Sequence, residues 1–319
     1  MNLYPLKLTS VKKSPIWGGK RLIADWGKET SAETVGESWE LTVRRQENST
    51  VENGALAGRT LGEVLAMAGG NTIAPDFCGE DFPLLVKLID AADRLSVQVH
   101  PDDAYAARVE KDRGKTEVWY IVDADEGAEI ICGLADGATR EDFARATAEG
   151  DPERVLKHVP VHAGEIYFIP AGLPHAIGRG ILIAEIQQNC DLTYRVFDYN
   201  RRQADGSLRE LHVEKALDVV RPFSEEEIES LRYARRSDTL ANGECLADCA
   251  YFRVERVQLD GTWELPACAE MRHLLCLSGE GALIAHGETY PIQKGDSYFL
   301  PPMPEATLNG SITLLVSGV

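Results

Sequence analysis

The chain has 319 residues, of which 44% are hydrophobic and 26% are charged. This composition is typical of a globular protein, the length predicts two domains, and no apolar run approaches the roughly eighteen residues of a membrane span. The formal net charge of −18 argues against a nucleic acid or an anionic membrane as a partner, although a small anionic substrate held by local cations stays compatible with it.

The start of the chain, MNLYPLKLTSVKK, has no apolar stretch suited to a signal peptide. The seven cysteines are odd in number and scattered, unlike the disulfide framework of a small secreted domain. Together these features predict a cytoplasmic protein with reduced cysteines.

Strands dominate the predicted elements. Capping boxes predict two helices, one where Thr60 is followed by Glu63 and one where Thr139 is followed by Asp142. The β-rich runs of a first group are PLLVKLIDA, LSVQVH, TEVWYIVDA, EIYFIPA, GILIAEIQQ and LTYRVFDY. Those of a second group are YFRVERVQL, MRHLLCLSG, GALIAHG, DSYFLPP and SITLLVSG.

A third helical stretch, SEEEIESLRYARR, follows Pro222 and separates the two groups of strands. We therefore predict a first domain over residues 1–222, a helical linker over residues 223–239 and a second domain over residues 240–319.

Polar residues share one face of two predicted strands. Side chains alternate between the faces of a strand, so Ser96, Gln98 and His100 in LSVQVHPDD point the same way. Lys115 and Glu117 share a face of KTEVWYI for the same reason. Such a face indicates either exposure to solvent or a metal site, and the alternation alone leaves both open.

An internal repeat relates the two groups of strands. Residues 163–177, AGEIYFIPAGLPHAI, align with residues 294–307, KGDSYFLPPMPEAT, which predicts two β-barrel domains of similar plan. Glu305 stands where the first copy has His175, and no Gln-x-His pair precedes the second copy. If His175 binds a metal, the second domain is therefore expected to bind none.

The first copy of the repeat also resembles the cupin superfamily. Its pattern G-x5-P-x-G-x2-H, similar to the second cupin signature, is formed by Gly164, Pro170, Gly172 and His175. The run QVH with Glu117 downstream resembles a variant of the first signature, in which Gln98 replaces a more usual histidine and PDDAYAARVEKDRGK is inserted as a predicted helix and loop.

Further motifs resemble those of the type I mannose-6-phosphate isomerases, particularly their short two-cupin bacterial form. Besides the insertion, these motifs are WGG (17–19), GESWEL (36–41), VQVHPDD (97–103), GKTEVWYI (114–121), IPAGLPHAI (169–177) and EIQQNCDLTYRVFDYNR (185–201). The resemblance implies a mainly β fold of two cupin (jelly-roll β-barrel) domains with helical insertions.

The resemblance also implies one metal ion per chain. Its ligands would be Gln98, His100, Glu117 and His175. Two imidazoles and two oxygen donors suit Zn²⁺ and would also accept Mn²⁺, Fe²⁺ or Co²⁺. Because one carboxylate is the only anionic ligand, such a site keeps a net positive charge and acts as a Lewis acid.

The implied reaction interconverts mannose 6-phosphate and fructose 6-phosphate through a cis-enediol(ate). The residues expected in catalysis are Arg195, Lys115 and Glu185, and those expected to bind substrate are Lys87, Ser96 and Asp198. Arg195 and Lys115 correspond to active-site residues of the family, and a guanidinium forks onto paired oxygens of an enediolate or a phosphate. The proton-transfer base stays open between Glu185 and Asp198, either of which could instead orient a ligand or Arg195.

The sequence is also compatible with two other classes of function, a metal-dependent cupin oxygenase and a non-catalytic sugar-phosphate-binding cupin. The retention of Lys115 and Arg195 beside a complete ligand set favours the isomerase. We expect the partner to be a small-molecule sugar phosphate and the protein to be a monomer or a homodimer. The remaining histidines lack a ligand context and are predicted to be structural: His158, His162, His212, His273 and His286.

Overall fold

The computed structural model describes residues 3–44, 47–69, 72–74, 82–203, 205–235 and 239–319. The strands before residue 200 are β1 (Leu6–Thr9), β2 (Val11–Lys13), β3 (Glu37–Leu41), β4 (Val43–Arg44), β5 (Glu47–Asn48), β6 (Thr50–Val51), β7 (Leu84–Ala91), β8 (Val97–Val99), β9 (Glu117–Ala124), β10 (Glu129–Leu134), β11 (Leu156–Pro160), β12 (Ile166–Ile169), β13 (His175–Ile177), β14 (Ile181–Gln188) and β15 (Tyr194–Phe197). The later strands are β16 (Gly243–Asp248), β17 (Arg253–Leu265), β18 (Arg272–Ala285), β19 (Glu288–Gln293), β20 (Ser297–Leu300) and β21 (Ala306–Gly318).

The helices are α1 (Arg21–Trp26), α2 (Leu61–Ala68), α3 (Asp103–Val109), α4 (Arg140–Ala148), α5 (Val213–Val219) and α6 (Glu225–Arg232), with 3-10 turns at Gly54–Leu56 and Pro152–Val155. The mainly β prediction is confirmed, and so are both capping boxes: Thr60 caps α2 with Glu63, and Thr139 caps α4 with Asp142. Each box satisfies backbone N–H groups that the first helical turn leaves unpaired. None of the described helices is long and apolar enough to cross a membrane.

Two antiparallel sheets form the first barrel. The strand order is β11-β10-β13-β8-β15 in one sheet and β12-β9-β14-β7-β3-β2 in the other. Apolar side chains of both sheets pack together between them, among them Ile130, Ile177, Ile121 and Ile183. Polar side chains that point into the interior of this barrel are therefore enclosed between the two sheets.

The run ILIAEIQQ of β14 is buried along its entire length because both of its faces are covered. Ile181 and Ile183 face the interior of the first barrel, whereas Leu182 and Ala184 pack in a second core together with Phe299 of the later strands. Alternation then places Glu185 and Gln187 on the interior face, where burial is costly unless the polar groups are paired.

The later strands form one sheet that also contains two strands from the beginning of the chain. Its order is β16-β17-β21-β18-β20-β1-β6, and β19 pairs with β18. β1 pairs with β20, where Leu6 lies opposite Phe299. The predicted division into residues 1–222, 223–239 and 240–319 stays a prediction, and the hydrogen bonds of β1 cross it. α6 lies within the predicted linker, and residues 236–238 fall outside the described residues.

Candidate metal centre and active site

A row of side chains crosses three neighbouring strands of the first barrel. His175 at the start of β13 lies opposite Gln98 on β8, and Gln98 lies opposite Arg195 on β15. Directly opposed residues of antiparallel strands present their side chains on the same face. His100 follows two residues after Gln98, so alternation brings it to this face as well. The facing sheet contributes Glu117, the first residue of β9.

Three of the four predicted metal ligands form a compact buried group. The Nε2 atoms of His100 and His175 lie 3.1 Å apart, and Glu117 Oε1 lies 3.3 Å from His100 Nε2. One potential ligand atom from each of the three residues lies within 4.8 Å of the other two. Among the described residues, these three form the cluster of His, Cys, Asp or Glu side chains that could hold a metal ion. This geometry brings three donors of suitable type to one point.

Gln98 adjoins this group. Its side-chain nitrogen Nε2 lies 3.3 Å from His175 Nε2. The two ends of a carboxamide have nearly the same shape, so a half-turn of the amide would present Oε1 in the same place. Gln98 can therefore serve as the fourth donor.

The protonation states of these side chains suit a cation. Burial, aided by the neighbouring Lys115 ammonium, lowers the pKa of His100 to about 3, and burial also lowers the pKa of His175. His175 Nδ1 donates to the carbonyl of Leu173 at 2.8 Å, which leaves the lone pair on Nε2 directed at the other donors. Burial opposes ionisation of Glu117, but Lys115 holds the pKa of this carboxyl well below 4.5.

Lys115 lies against the ligand group. Its Nζ is 2.7 Å from Glu117 Oε1 and 3.2 Å from His100 Nε2. Burial alone would lower the pKa of Lys115, but the Glu117 carboxylate more than offsets it, and the pKa is raised. The structure thus brings this predicted catalytic residue into contact with two predicted ligands as a charged ammonium.

Glu185 and Lys87 form a second buried pair on the same interior surface. They lie opposite each other on β14 and β7, with Lys87 Nζ 3.2 Å from Glu185 Oε1. Burial and the negative charge of Glu117 raise the pKa of Glu185. Burial opposes the charge on Lys87, but the Glu185 carboxylate leads the groups that raise the pKa of this lysine. The two predicted residues therefore contact each other within reach of the ligand group.

Arg195 is oriented by two hydrogen bonds. Its Nε donates to Ser96 Oγ at 3.3 Å, and its Nη1 donates to the carbonyl of Glu210 at 2.8 Å. Arg195 and Ser96, both predicted site residues, are thus in contact beside Gln98.

Asp198 belongs to a different cluster. Both Arg201 and Arg209 pair with its carboxylate, which is 5% exposed. Burial opposes ionisation, but these guanidiniums hold the pKa of Asp198 below 3.8. The structure therefore does not bring Asp198 into the group formed by the ligands, and its described partners are arginines.

Two interior residues were missing from the predicted site. Trp119 is fully buried, and its indole Nε1 lies 3.1 Å from Glu117 Oε2 and 2.9 Å from Glu185 Oε2. Gln187 lies opposite Glu117 on β14, and its Oε1 has no hydrogen-bond partner among the described residues. The alternation that placed Lys115 and Glu117 on one face also places Trp119 there, so this residue could have been found from the sequence.

The other histidines lie outside the ligand group. His158 pairs with Glu129, His162 with Glu165, His273 with Ser297, and His212 accepts from the backbone of Arg195. His286 occupies a turn with a φ of 54°.

Comparisons with known proteins agree with this arrangement. Residues 5–143 match the family model of the phosphomannose isomerase type I catalytic domain, and residues 243–319 match that of the mannose-6-phosphate isomerase cupin domain. Mannose-6-phosphate isomerase ManA of Bacillus subtilis is 38% identical over 319 residues, with 99% of each chain covered. The chain belongs to the type I mannose-6-phosphate isomerases. The family and the cupin fold predicted from the sequence are both confirmed.

Two further relatives extend this result. The mannose-6-phosphate isomerase of Streptococcus mutans is 38% identical over 93% of this chain and 92% of the relative. The crystal structure of the mannose 6-phosphate isomerase from Bacillus subtilis superposes with a TM-score of 0.88 at 34% identity, covering 99% of both chains. The likeness to this family thus holds across both barrels.

Proposed function

We propose that this type I mannose-6-phosphate isomerase family member is a metal-dependent aldose-ketose isomerase that interconverts mannose 6-phosphate and fructose 6-phosphate. The observation that carries the proposal is the enclosed group of His100, Glu117 and His175, whose donor atoms converge within 4.8 Å. Buried neutral imidazoles and a buried carboxylate with a low pKa are the forms that bind a divalent metal.

We assign the metal to Gln98, His100, Glu117 and His175, and Zn²⁺ is the ion that best suits this donor set. The bound ion would supply Lewis-acid stabilisation for negative charge on the sugar oxygens at C1 and C2. Lys115, which touches Glu117 and His100, adds a second positive charge at the same place.

We assign proton transfer to Glu185. The isomerisation removes a proton beside a carbonyl and returns it to the neighbouring carbon, so the base must accept and release a proton near neutral pH. Burial and the charge of Glu117 raise the pKa of Glu185, which favours its proton-bound form, whereas Arg201 and Arg209 lower the pKa of Asp198. Asp198 suits a supporting role in which it fixes these arginines beside the substrate.

The substrate phosphate or enediolate would meet Arg195, whose guanidinium lies next to Gln98 and donates to Ser96. Ser96 offers a hydroxyl to the same anion. Lys87 is paired with Glu185, and we propose that its ammonium keeps this carboxylate in place while adding positive charge for the phosphate. A cytoplasmic location and a monomeric or homodimeric state remain predictions from the sequence.

The test is an isomerase assay with mannose 6-phosphate, run aerobically and anaerobically, together with metal analysis. We expect one equivalent of metal per chain, equal activity without oxygen, and loss of activity on chelation that Zn²⁺ restores. Equal activity without oxygen excludes the oxygenase, and turnover excludes a non-catalytic binding protein.

A pair of histidine variants tests the ligand assignment. His175→Ala should lose both metal and turnover, because it removes one of two imidazole ligands. His158→Ala is the matched control, since its ring pairs with Glu129 outside the ligand group. Full metal content and full turnover in His175→Ala would remove the assignment.

A further inference from the structure

We infer that Trp119 is a positioning residue that ties a metal ligand to the proton-transfer base through a single indole N–H. This inference rests on the proposed function of Glu117 and Glu185. Trp119 Nε1 lies 3.1 Å from Glu117 Oε2 and 2.9 Å from Glu185 Oε2, so its one hydrogen is shared between two carboxylates. An indole N–H can only donate a hydrogen bond, and an ionised carboxylate oxygen can only accept one, so the indole and the two carboxylates are complementary partners.

The surrounding sheet holds the indole in place. Trp119 is fully buried and lies opposite Glu185 on β14 and opposite Tyr167 on β12. Its ring meets the ring of His175 edge-on, with the centroids 5.3 Å apart. One side chain thus contacts functional residues on three different strands, β9, β13 and β14.

The shared N–H has a specific consequence for Glu117. Trp119 holds Oε2, and the other oxygen, Oε1, lies 2.7 Å from Lys115 Nζ and 3.3 Å from His100 Nε2. A hydrogen bond to a ligating carboxylate fixes its orientation, and loss of such a partner typically costs about 10–100-fold in metal affinity or activity. The indole therefore orients Glu117 together with Lys115, without offering a donor atom to the metal.

The same N–H also sets the position of Glu185. Lys87 Nζ forms an ion pair with Oε1 of this carboxylate at 3.2 Å, while Trp119 Nε1 donates a hydrogen bond to Oε2 at 2.9 Å. Two partners on the two oxygens leave the carboxylate little freedom to rotate. Since Glu117 and Glu185 share one donor, the indole N–H couples the position of the ligand carboxylate to that of the base.

The experiment replaces the N–H without removing the ring. Incorporation of 3-benzothienylalanine at position 119 keeps the bicyclic shape but has sulfur in place of N–H, and Trp119→Phe is the simpler second variant. Trp17→Phe is the matched control, because Trp17 is a buried indole of the same core, and the described residues show no hydrogen bond from it to either carboxylate. The readouts are the Kd for Co²⁺, the visible spectrum of the Co²⁺ protein, and kcat and KM.

We expect both position-119 variants to bind Co²⁺ about 10-fold or more weakly, with a changed visible spectrum, and kcat to fall with KM nearly unchanged. Trp17→Phe should keep the Co²⁺ affinity and spectrum of the parent even if its Tm is lower. Parent-like Co²⁺ affinity, spectrum and kcat in the benzothienyl protein would overturn the inference and leave Trp119 a packing residue. A parent chain that binds Co²⁺ but does not isomerise the sugar would contradict the proposed function, while the Co²⁺ measurements would still decide the role of Trp119.

Discussion

Arg195 could bind either the enediolate or the phosphate of the substrate, and a substitution can distinguish these two roles. Its guanidinium is beside Gln98 and donates to Ser96 and to the carbonyl of Glu210. None of these hydrogen-bond partners is a carboxylate, so among the described residues no direct ion pair occupies the guanidinium. The position suits either an enediolate over the ligand group or the phosphate of the substrate.

We expect Arg195→Ala to keep its metal and its fold while kcat falls about a hundredfold or more, because one preorganised electrostatic partner of the enediolate is lost. Steady-state kinetics with metal analysis is the measurement. Arg195→Lys should recover part of the rate, since it keeps the charge but not the planar fork. A raised KM with unchanged kcat would instead assign Arg195 to the phosphate, and parent-like kinetics would leave it a structural residue.

At this scale the sequence predicted which residues converge but not all of their partners. Strand alternation, the cupin signature and the resemblance of the flanking motifs to the family together nominate Gln98, His100 and His175 as one group. The bond from Trp119 to Glu185 depends on which strand pairs with β9 and in what register, and alternation within a single strand does not contain that information. The ion pairs of Asp198 with Arg201 and Arg209 depend on where the loops after β15 lie, which strand alternation does not contain either.

The repeated β-strands allow the two barrels to be compared element by element. β12 and β20 carry the repeat, and each pairs with an antiparallel neighbour, β9 and β18. Ile169 lies opposite Glu117 in the first barrel, whereas Leu300 lies opposite Arg272 in the second. A guanidinium thus stands at the register position of the carboxylate ligand, and Glu305 stands at that of His175.

We therefore expect the second barrel to bind no metal, since an arginine repels a divalent cation and cannot act as a donor. Metal analysis of Glu305→Ala should give one equivalent per chain, the same as the parent, whereas His175→Ala should lose it. A second stoichiometric metal in the parent that disappears in Glu305→Ala would contradict this expectation.

Predictions for elements succeeded where a local signal specifies them. The capping boxes at Thr60 and Thr139 marked the true starts of α2 and α4, because the cap is made by residues three apart in sequence. The pairing of β1 with β20 has no local signal. It arises from contacts between distant parts of the chain, which explains why a boundary drawn from the order of strand groups and the helical stretch after Pro222 did not anticipate it.

A buried polar network joins the first strands to the second barrel. His273 Nε2 lies 2.7 Å from Ser297 Oγ, and Ser297 in turn donates to the carbonyl of Glu40 at 3.0 Å. Lys28 Nζ lies 2.7 Å from Glu40 Oε2 and 2.6 Å from the carbonyl of Gly295. Because the Ser297 hydroxyl proton is used on Glu40, Nε2 of His273 is the donor in their bond, and its buried Nδ1 has no hydrogen-bond partner among the described residues.

This network makes the stability of the molecule depend on pH. Burial, together with the Lys28 charge, lowers the pKa of His273 to about 3. Below its ordinary value of 6.5 the unfolded chain takes up a proton that the folded chain does not, so stability is complete above pH 6.5 and falls as the pH decreases towards 3. At pH 5 the free energy of unfolding should be smaller by about 2 kcal/mol than at pH 8 from this group alone.

His273→Gln should remove this dependence, because glutamine can donate to Ser297 but does not titrate. Urea unfolding of both proteins at pH 8 and pH 5 is the measurement, and the other ionisable groups are common to both and cancel in the difference. Identical losses of unfolding free energy on acidification in the two proteins would show that His273 does not contribute.

The pairing of β1 with β20 also has a consequence for biosynthesis. Leu6 leaves the ribosome long before its partner Phe299 is translated, so the edge of β1 that pairs with β20 stays unpaired until then, although β6 can already pair with the other edge. An unpaired strand edge is a site of wrong association between nascent chains, and long-range pairing is slow. This part of the sheet can close only after β20 has been made, so a strand translated late determines when this edge of an early strand is protected.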